Sequence, residues 1–546
     1  MRRLMVFLLA AMTGACSRSS GSSSGPIGSD AILQHVQILA SDSFAGRAPA
    51  SPGEERTVNY LRDQLTMLGL KSGNHDSYVQ EVPVVEIDGR PVGTLTLNGR
   101  RQSSGSRFLY KSEFVAWTRR LVDQSAIANS PVIFVGYGVV APEYQWNDYA
   151  GVDVRGKTVI MLVNDPGYEG TDTTLFRGRA MTYYGRWTYK FEEAARQGAD
   201  AAFIVHETGG AGYPWDVVQS SFTGPRFGLG TPDGGAFRLA LEGWVTTSTA
   251  RSIFRQAGQT YDSLKARANR RGFKAVPLDL RASVAIKNRI RRSTSRNVLG
   301  LLPGAAHPDE VVIYSAHWDH FGVDSSLKGD QIMHGARDNA SGVAGVVAIA
   351  RAFTQMSPPP SRSVLFLLLT GEEQGLLGSQ FYVRHPVFPL NRTVAVINLD
   401  ELGIFGGTRD ITLIGLGNSE LDDYVVAAAK DQGRVVNGDP EPEKGMFYRS
   451  DHFSFAKQGV PALDPIAGVD NVEHGAAWGR QQEQKWTAGR YHKPSDRYEP
   501  SWDLTGAVED LNLLFAVGQR LANETSWPNW RTGTEFRAKR DSLMKK

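Results

Sequence analysis

Histidine and carboxylate side chains follow three apolar runs in the second half of the chain. The runs at residues 311–314, 364–369 and 394–399 lead into His317, Glu373 and Asp400. Alone, such a residue is more often a hydrogen-bonded structural side chain or a solvated one than a ligand. As a set at the ends of apolar strands, where unpaired charge is costly, they indicate a site that binds divalent cations.

Two polar loops add further candidate ligands. Asp338 lies in the stretch 335–342, directly before a helical pattern, and His492 lies in the stretch 491–496. An aspartate before a helix is more often an N-cap, so Asp338 becomes a ligand candidate only as part of the set. If all of these groups meet at one edge of a sheet, two divalent cations would compensate their charge.

The elements that must position these residues are visible after residue 297, where strand and helix patterns alternate. The expected strands lie at residues 311–314, 364–369, 394–399 and 411–414. The expected helices lie at residues 342–353 and 504–521. This alternation predicts an α/β fold with a mixed, largely parallel sheet flanked by helices. Ligands of such sheets bind beyond the carboxyl ends of the strands, which is where the candidate ligands lie.

Five motifs in order resemble zinc metallopeptidase family twenty-eight, the co-catalytic dizinc aminopeptidases of clan MH. They are H-x-D at 317–319, D-N-A-S-G at 338–342, E-E at 372–373, N-L-D at 398–400 and Y-H-x-P-x-D at 491–496. The similarity also includes residues 39–47 and covers most of the chain. It implies the phosphorylase/hydrolase-like zinc peptidase fold.

The resemblance implies two Zn²⁺ ions per chain. His317 and Asp400 would bind one ion. Glu373 and His492 would bind the other, and Asp338 would bridge both. Mixed histidine and carboxylate ligation with an open position suits catalytic rather than structural zinc.

Two further carboxylates receive roles from the resemblance. Glu372 would be the general base, because it cannot easily point in the same direction as its neighbour and so stays free to move a proton. Asp319 would orient the imidazole of His317. The neighbouring His320 could lie at the rim of the site, but a structural histidine is the favoured interpretation.

A substrate pocket is expected near residues 448–452, which resemble the S-D-H segment of the family. Its candidate residues are Tyr448, Ser450, Asp451, His452 and Tyr491. Tyr448 or Tyr491 could donate a hydrogen bond to the oxyanion that forms during hydrolysis. The alternative is a loop network that satisfies Asp451 and His452 structurally.

The N-terminus predicts export. Arg2 and Arg3 precede an apolar stretch at residues 4–12, and Cys16, the only cysteine, stands where a signal would be cut. This cluster resembles a bacterial lipobox, which implies a lipid anchor on Cys16. We expect a periplasmic or cell-surface lipoprotein held to the membrane by that anchor.

The expected domain organisation follows from these patterns. Residues 90–284 are β-rich, and the stretch 137–157 resembles the opening of a protease-associated domain, the alternative being an unrelated insert. The expected segments are a signal peptide (1–15), a tether (16–29), the peptidase domain in two parts (30–89 and 285–525), the protease-associated insert (90–284) and a C-terminal tail (526–546). Lys+Arg 60 against Asp+Glu 57 leaves a net charge of +3, which argues against nucleic acid as a partner.

The function implied is an aminopeptidase acting on peptides with a free N-terminus. A carboxypeptidase or dipeptidase on the same metal centre is the alternative, and would need a cationic anchor such as Arg449. Glutaminyl cyclisation uses one zinc on a related fold, and the complete ligand set disfavours it. A non-catalytic surface binding protein on this fold is the alternative of another class.

Overall fold

The computed structural model describes residues 25–99, 105–170, 172 and 175–545. Its α-helices are α1 Ser29–Leu39, α2 Pro52–Met67, α3 Trp187–Arg196, α4 Thr208–Ala211, α5 Trp215–Ser221, α6 Thr247–Gln256, α7 Tyr261–Ala268, α8 Gly342–Thr354, α9 Leu377–Arg384, α10 Leu421–Asp431, α11 His452–Ala456, α12 Gly475–Gly489, α13 Thr505–Asn523 and α14 Arg537–Met544.

The strands are β1 Lys71–Ser72, β2 Val79–Gly99, β3 Ser106–Phe108, β4 Phe114–Trp117, β5 Gln124–Phe134, β6 Val140–Ala141, β7 Trp146–Asn147, β8 Thr158–Leu162, β9 Ala201–His206, β10 Gly224–Leu229, β11 Leu241–Thr246, β12 Val276–Leu302, β13 His307–His317, β14 Gly322–Val323, β15 Ile332–Met333, β16 Arg362–Leu369, β17 Thr393–Asn398, β18 Asp410–Ile414, β19 Val435–Gly438 and β20 Ala462–Ala467. The strands and helices expected after residue 297 are all present, which confirms those predictions.

One sheet runs through the described residues, with the central order β19-β18-β20-β17-β13-β16-β12-β5-β8-β9-β11-β4. The strands β16, β13, β17 and β20 are parallel neighbours, and so are β5, β8, β9 and β11. The antiparallel strand β12 joins the two parallel blocks, since it pairs with β16 on one side and with β5 on the other. The predicted mixed, largely parallel sheet is therefore confirmed.

A long antiparallel ribbon connects the two halves of the sheet. Strands β2 and β12 pair from Val79 opposite Val298 to Gly99 opposite Leu280, with one irregularity between Ser283 and Ala285. The domain limits expected at 89/90 and 284/285 fall inside these two continuous strands. The division into a peptidase domain and a protease-associated insert stays a prediction.

Helices cover both faces of the β13–β16–β17 block. On one face, α1, α8 and α13 contribute to an apolar core in which Tyr314, Phe353 and Phe515 are all buried. On the other face, Tyr382 of α9 and Phe455 of α11 pack against the same strands. Because both faces are buried, the central parts of these strands are apolar, as the runs in the sequence indicate.

Helix α13 packs against the central strand β13 through a glycine. A Cβ atom on Gly518 would lie 1.7 Å from Tyr314 Oη, whose hydroxyl donates to the Leu514 carbonyl at 2.7 Å. We expect Gly518→Ala to lower the free energy of unfolding by about 1–3 kcal/mol, although alanine is the better helix former. Gly489→Ala, where nothing lies within 4 Å, is the matched control and should change little. Thermal unfolding of both variants tests this; equal melting temperatures would contradict the close approach.

The predicted signal peptide and lipid anchor involve residues that the structure does not describe. The expected signal peptide at 1–15, Cys16 and most of the tether at 16–29 lie outside the described residues. Among the residues that are described, no helix is long and apolar enough to cross a membrane.

Candidate metal centre

Three neighbouring parallel strands bring the first candidate ligands to one edge of the sheet. Strand β13 lies between β16 and β17, with His317 opposite Leu369 and Ser315 opposite Asn398. Parallel strands in this register end together, so the residues that follow them meet. His317, Glu373 and Asp400 therefore share one edge, as the sequence predicts.

The loop before α8 brings Asp338 to the same edge. The Asp338 N–H donates to Asp496 Oδ2 at 3.1 Å, and the Arg337 N–H donates to Asp496 Oδ1 at 3.0 Å. Asn339 then fixes the loop to the end of β17, because its Nδ2 donates to the Leu399 carbonyl at 2.9 Å. Its Oδ1 accepts from Gly342 N at 2.9 Å and from Glu401 N at 3.1 Å. The side chain of Asn339 thus holds two loops of the site together.

Gly335 allows this loop to fold closely over its neighbours. It has a φ of +54°, and a Cβ there would lie 2.3 Å from the Asp338 carbonyl oxygen and 2.7 Å from His320 Cγ. The same backbone is held by Arg47, which is 1% exposed and donates to the carbonyl oxygens of Leu39, Trp318, His334 and Gly335. Burial lowers the pKa of Arg47 to about 10, which leaves it charged at neutral pH.

One group of ligand atoms surrounds His317. Its Nε2 lies 3.2 Å from Asp400 Oδ1 and 3.4 Å from Asp338 Oδ1. These three side chains offer one nitrogen and two carboxylate oxygens within the span of a single cation. They are the residues expected to bind the first zinc.

A second group surrounds Glu373. His492 Nε2 lies 3.2 Å from Glu373 Oε2 and 3.1 Å from Asp338 Oδ2. The two oxygens of Asp338 therefore face different histidines, the arrangement that a bridging carboxylate requires. The side chain of His492 is 34% exposed and that of Asp400 is 22% exposed, whereas those of His317 and Glu373 are nearly buried, so the site opens to solvent at His492 and Asp400.

His320 does not lie at the rim of the site. The residue is fully buried, and its Nδ1 lies 2.6 Å from Glu373 Oε1. With Asp338 and Glu373 it forms a group of ligand-type atoms close enough to share one cation. The contact of His320 with Glu373 could not be predicted from the sequence, because its position depends on Arg47, which is distant in sequence. Arg47 donates to the Trp318 carbonyl oxygen, and its own carbonyl oxygen accepts from His320 N.

The donor chemistry of the site fits two divalent cations. His320 Nε2 is buried and has no hydrogen-bond partner among the described residues. His320 Nδ1 and His492 Nε2 face the carboxylate oxygens of Glu373 at 2.6 and 3.2 Å. Carboxylates so close together repel unless positive charge lies between them. His317, Asp400, Asp338, Glu373 and His492 would hold the cations, with His320 beside them.

Asp319 is fully buried, and its contacts differ from those that the resemblance implies. His317 Nδ1 is 3.2 Å from the main-chain carbonyl oxygen of Asp319 and 3.9 Å from its carboxylate. The carboxylate instead accepts the Glu372 N–H at 3.1 Å. Asp319 therefore contacts the His317 imidazole through its main-chain carbonyl oxygen, whereas its carboxylate contacts the backbone of Glu372. Burial raises the pKa of Asp319 to about 8.

Glu372 has a carboxylate that no described residue binds. Its carboxylate forms no hydrogen bond or ion pair with the described residues, although the charges of His317 and Asp400 act on it. Burial raises its pKa well above the usual range; the charge of His317 opposes that shift and the Asp400 carboxylate adds to it. A glutamate in such surroundings is suited to accept and release a proton.

The expected pocket residues divide into two sets. Ser450 Oγ donates to Asp400 Oδ2 at 2.6 Å and accepts from Asn398 Nδ2 at 2.8 Å, which fixes the ligand Asp400. Tyr491 stacks on the His492 ring, with 3.7 Å between centroids. Both residues lie at the site.

Of the other three expected pocket residues, Tyr448 and His452 have partners away from the ligand groups. The Tyr448 hydroxyl lies 2.9 Å from Glu535 Oε1 and 3.1 Å from the Met181 carbonyl oxygen, so it cannot serve the oxyanion. His452 is fully buried and lies 3.5 Å from Asp464, and burial lowers its pKa to about 3. Asp451 is fully buried but lies nearer the ligand groups, since burial raises the pKa of its carboxyl and the charges of His317 and Asp400 also act on it.

Comparison with known proteins bears on this site directly. Residues 297–516 match the family model described as Peptidase family M28. This segment contains every candidate ligand.

Curated relatives match part of the chain. Aminopeptidase NAALADL1 from Mus musculus is 32% identical over 162 residues, which is 29% of this chain and 20% of that protein. Aminopeptidase YwaD from Bacillus subtilis is 28% identical over 216 residues, or 38% of this chain and 40% of that protein. The matches thus span about a fifth of the length of the first relative and two fifths of the length of the second.

Among solved structures, the aminopeptidase from Aneurinibacillus sp. strain AM-1 has a TM-score of 0.47 and 19% identity, covering 92% of this chain and 96% of that one.

Proposed function

We propose that the chain is a dizinc metallopeptidase, and that it acts as an aminopeptidase on peptides with a free N-terminus. The observation that carries the proposal is Asp338, whose two carboxylate oxygens lie 3.4 and 3.1 Å from the nitrogens of two different histidines. A binding protein has no need of a carboxylate positioned between two ligand groups beside an unbound glutamate. The aminopeptidase names of the curated relatives support the choice of the N-terminal bond.

The chain's own residues would perform the proton transfers and the positioning. Bound zinc ions would polarise the substrate carbonyl and lower the pKa of a water molecule. Glu372 would accept the proton of that water and deliver it to the leaving amine. Ser450 would keep Asp400 in place through their hydrogen bond of 2.6 Å. Tyr491, at the open side of the site, would donate to the developing oxyanion.

A panel of hexapeptides with zinc-loaded protein tests the proposal. Peptides with a free amine should lose their first residue, whether their C-terminus is a carboxylate or an amide, and N-acetylated peptides should stay intact. Removal of the C-terminal residue from N-acetylated peptides would make the chain a carboxypeptidase. Zinc binding without any hydrolysis would favour a non-catalytic binding protein.

Export, the lipid anchor at Cys16 and the role of residues 90–284 as a protease-associated insert belong to the same proposal. They rest on sequence patterns alone. The family model matches residues 297–516 and leaves these features as predictions.

A further inference from the structure

An exposed phenylalanine lies directly beside the metal centre. The Phe321 ring contacts the ring of the candidate ligand His492 edge to face, with 4.6 Å between the centroids, and lies 5.0 Å from the ring of His320. Tyr491 stacks on the same His492 imidazole at 3.7 Å. Phe321 is 36% exposed and Tyr491 is 37% exposed, so two large rings adjoin His492 where the site opens to solvent. Exposed apolar side chains that lie together indicate a binding surface more strongly than single scattered ones do.

The backbone on both sides of Phe321 is fixed. Immediately before it, the His320 N–H donates to the Arg47 carbonyl oxygen at 3.3 Å. Immediately after it, Gly322 has a φ of +77°, and a Cβ there would lie 2.6 Å from Ala48 Cβ. Gly322 also begins β14, which pairs with β15. Because the turn that carries the Phe321 ring is already packed in place, little conformational freedom is lost when the ring contacts a ligand.

The opposite end of the open site is rich in carboxylates. Asp400 and the following Glu401 are both partly exposed. Arg337 Nε lies 3.4 Å from Glu401 Oε2, and its Nη1 lies 2.8 Å from Glu483 Oε2. One guanidinium therefore faces two carboxylates, which leaves an excess of negative charge beside Asp400. The ammonium group of a peptide with a free N-terminus is attracted to this end.

The candidate ligands lie between that end and Phe321. Asp400 belongs to the first group of ligand atoms, and Asp338 lies between this group and the second. Phe321 contacts His492 of the second group. A peptide with its ammonium beside Asp400 and its first carbonyl on the cations would therefore extend toward Phe321. Consecutive Cα atoms are about 3.8 Å apart, so the second residue of the peptide lies within reach of a ring that touches a ligand.

We propose that Phe321 is the contact surface for an apolar side chain of the second substrate residue, which follows the scissile bond. An apolar side chain that covers the exposed Phe321 ring removes apolar surface of both groups from water, and this stabilises the complex. The inference rests on the proposed peptidase function and makes peptides with a large apolar second residue the preferred substrates.

The test compares three tripeptide amides with a free amine: Ala-Ala-Ala, Ala-Leu-Ala and Leu-Ala-Ala. Release of the first residue by native protein should have a kcat/KM about 5–20-fold higher for Ala-Leu-Ala than for Ala-Ala-Ala, mainly through KM. Equal kcat/KM for these two peptides would overturn the proposal. The Leu-Ala-Ala amide measures any preference at the first residue separately.

Variants show whether the Phe321 ring causes the preference. In Phe321→Ala, the ratio of kcat/KM for Ala-Leu-Ala to that for Ala-Ala-Ala should fall close to one. Phe321→Leu should retain part of the preference, and replaces the alanine variant if that variant does not fold. Phe237→Ala, which removes an exposed ring from the β-rich part of the chain, is the matched control and should keep the native ratio. A ratio that persists in Phe321→Ala, or a leucine preference at the first residue that depends on Phe321, contradicts the assignment.

Binding measurements separate this inference from the peptidase proposal. In a calorimeter, zinc-loaded Glu372→Gln protein should bind the Ala-Leu-Ala amide about 5–20-fold more tightly than the Ala-Ala-Ala amide. Adding Phe321→Ala should remove the difference. This result supports the contact surface even if no peptide is hydrolysed. Hydrolysis without a preference at the second residue leaves the peptidase proposal standing and rejects the contact surface.

Discussion

Replacing Glu372 with glutamine should lower kcat by about 10²–10⁴-fold while both cations stay bound. The reason is that the carboxylate of Glu372 binds no described residue, whereas its neighbour Glu373 lies 3.2 Å from His492 among the ligands. Glutamine has nearly the same shape but cannot accept the proton of an attacking water. The loss should therefore appear in kcat, with little change in zinc content or in KM.

Glu81→Gln is the matched control for this experiment. Glu81 lies on β2, is exposed and has no side-chain partner among the described residues, so its substitution should leave kcat unchanged. Metal content is measured on both variants after removal of free zinc. If Glu372→Gln kept most of the native kcat, Glu372 would not be the base. If it lost zinc together with activity, Glu372 would be a ligand.

Replacing Asp338 with asparagine should weaken the binding of both cations by more than about 100-fold. Asp338 supplies an oxygen to each ligand group, at 3.4 Å from His317 and 3.1 Å from His492. An amide offers one neutral oxygen in place of a bridging carboxylate. Because the residue contributes to both groups, both affinities should fall together, as a titration of metal-free protein with zinc would measure.

Two comparisons show whether that effect belongs to the bridge. Asp400→Asn removes a ligand of the His317 group alone and should weaken one cation much more than the other. Asp76→Asn, at an exposed position without contacts, should weaken neither. If Asp338→Asn affected only one cation, Asp338 would be a terminal ligand and the two groups would be independent sites.

The sequence predicts that the candidate ligands lie together because the positions of three of them depend on local patterns. His317, Glu373 and Asp400 each follow an apolar run, and runs of that kind become neighbouring parallel strands that end at one edge. The resemblance adds Asp338 and His492, which lie in loops that no periodicity identifies.

Contacts between distant segments could not be predicted in the same way. His320 is buried against Glu373 because Arg47 fixes the backbone beside it. Arg47 lies more than 250 residues earlier in the chain, and its guanidinium donates to the carbonyl oxygen of Trp318. Tyr448 turns its hydroxyl to Glu535 because the C-terminal segment packs beside it. Strands β2 and β12 continue through the expected domain limits because their pairing extends from Val79 to Gly99.

The most direct test is the stoichiometry of zinc binding by the native protein. Metal-free protein titrated with zinc in a calorimeter, with metal content measured after dialysis, should bind two equivalents per chain, and peptidase activity should appear as they bind. X-ray absorption of the loaded protein should detect nitrogen and oxygen ligands and a second zinc about 3.5–4 Å away. One tightly bound equivalent, or two without a metal neighbour at that distance, would contradict a centre bridged by Asp338.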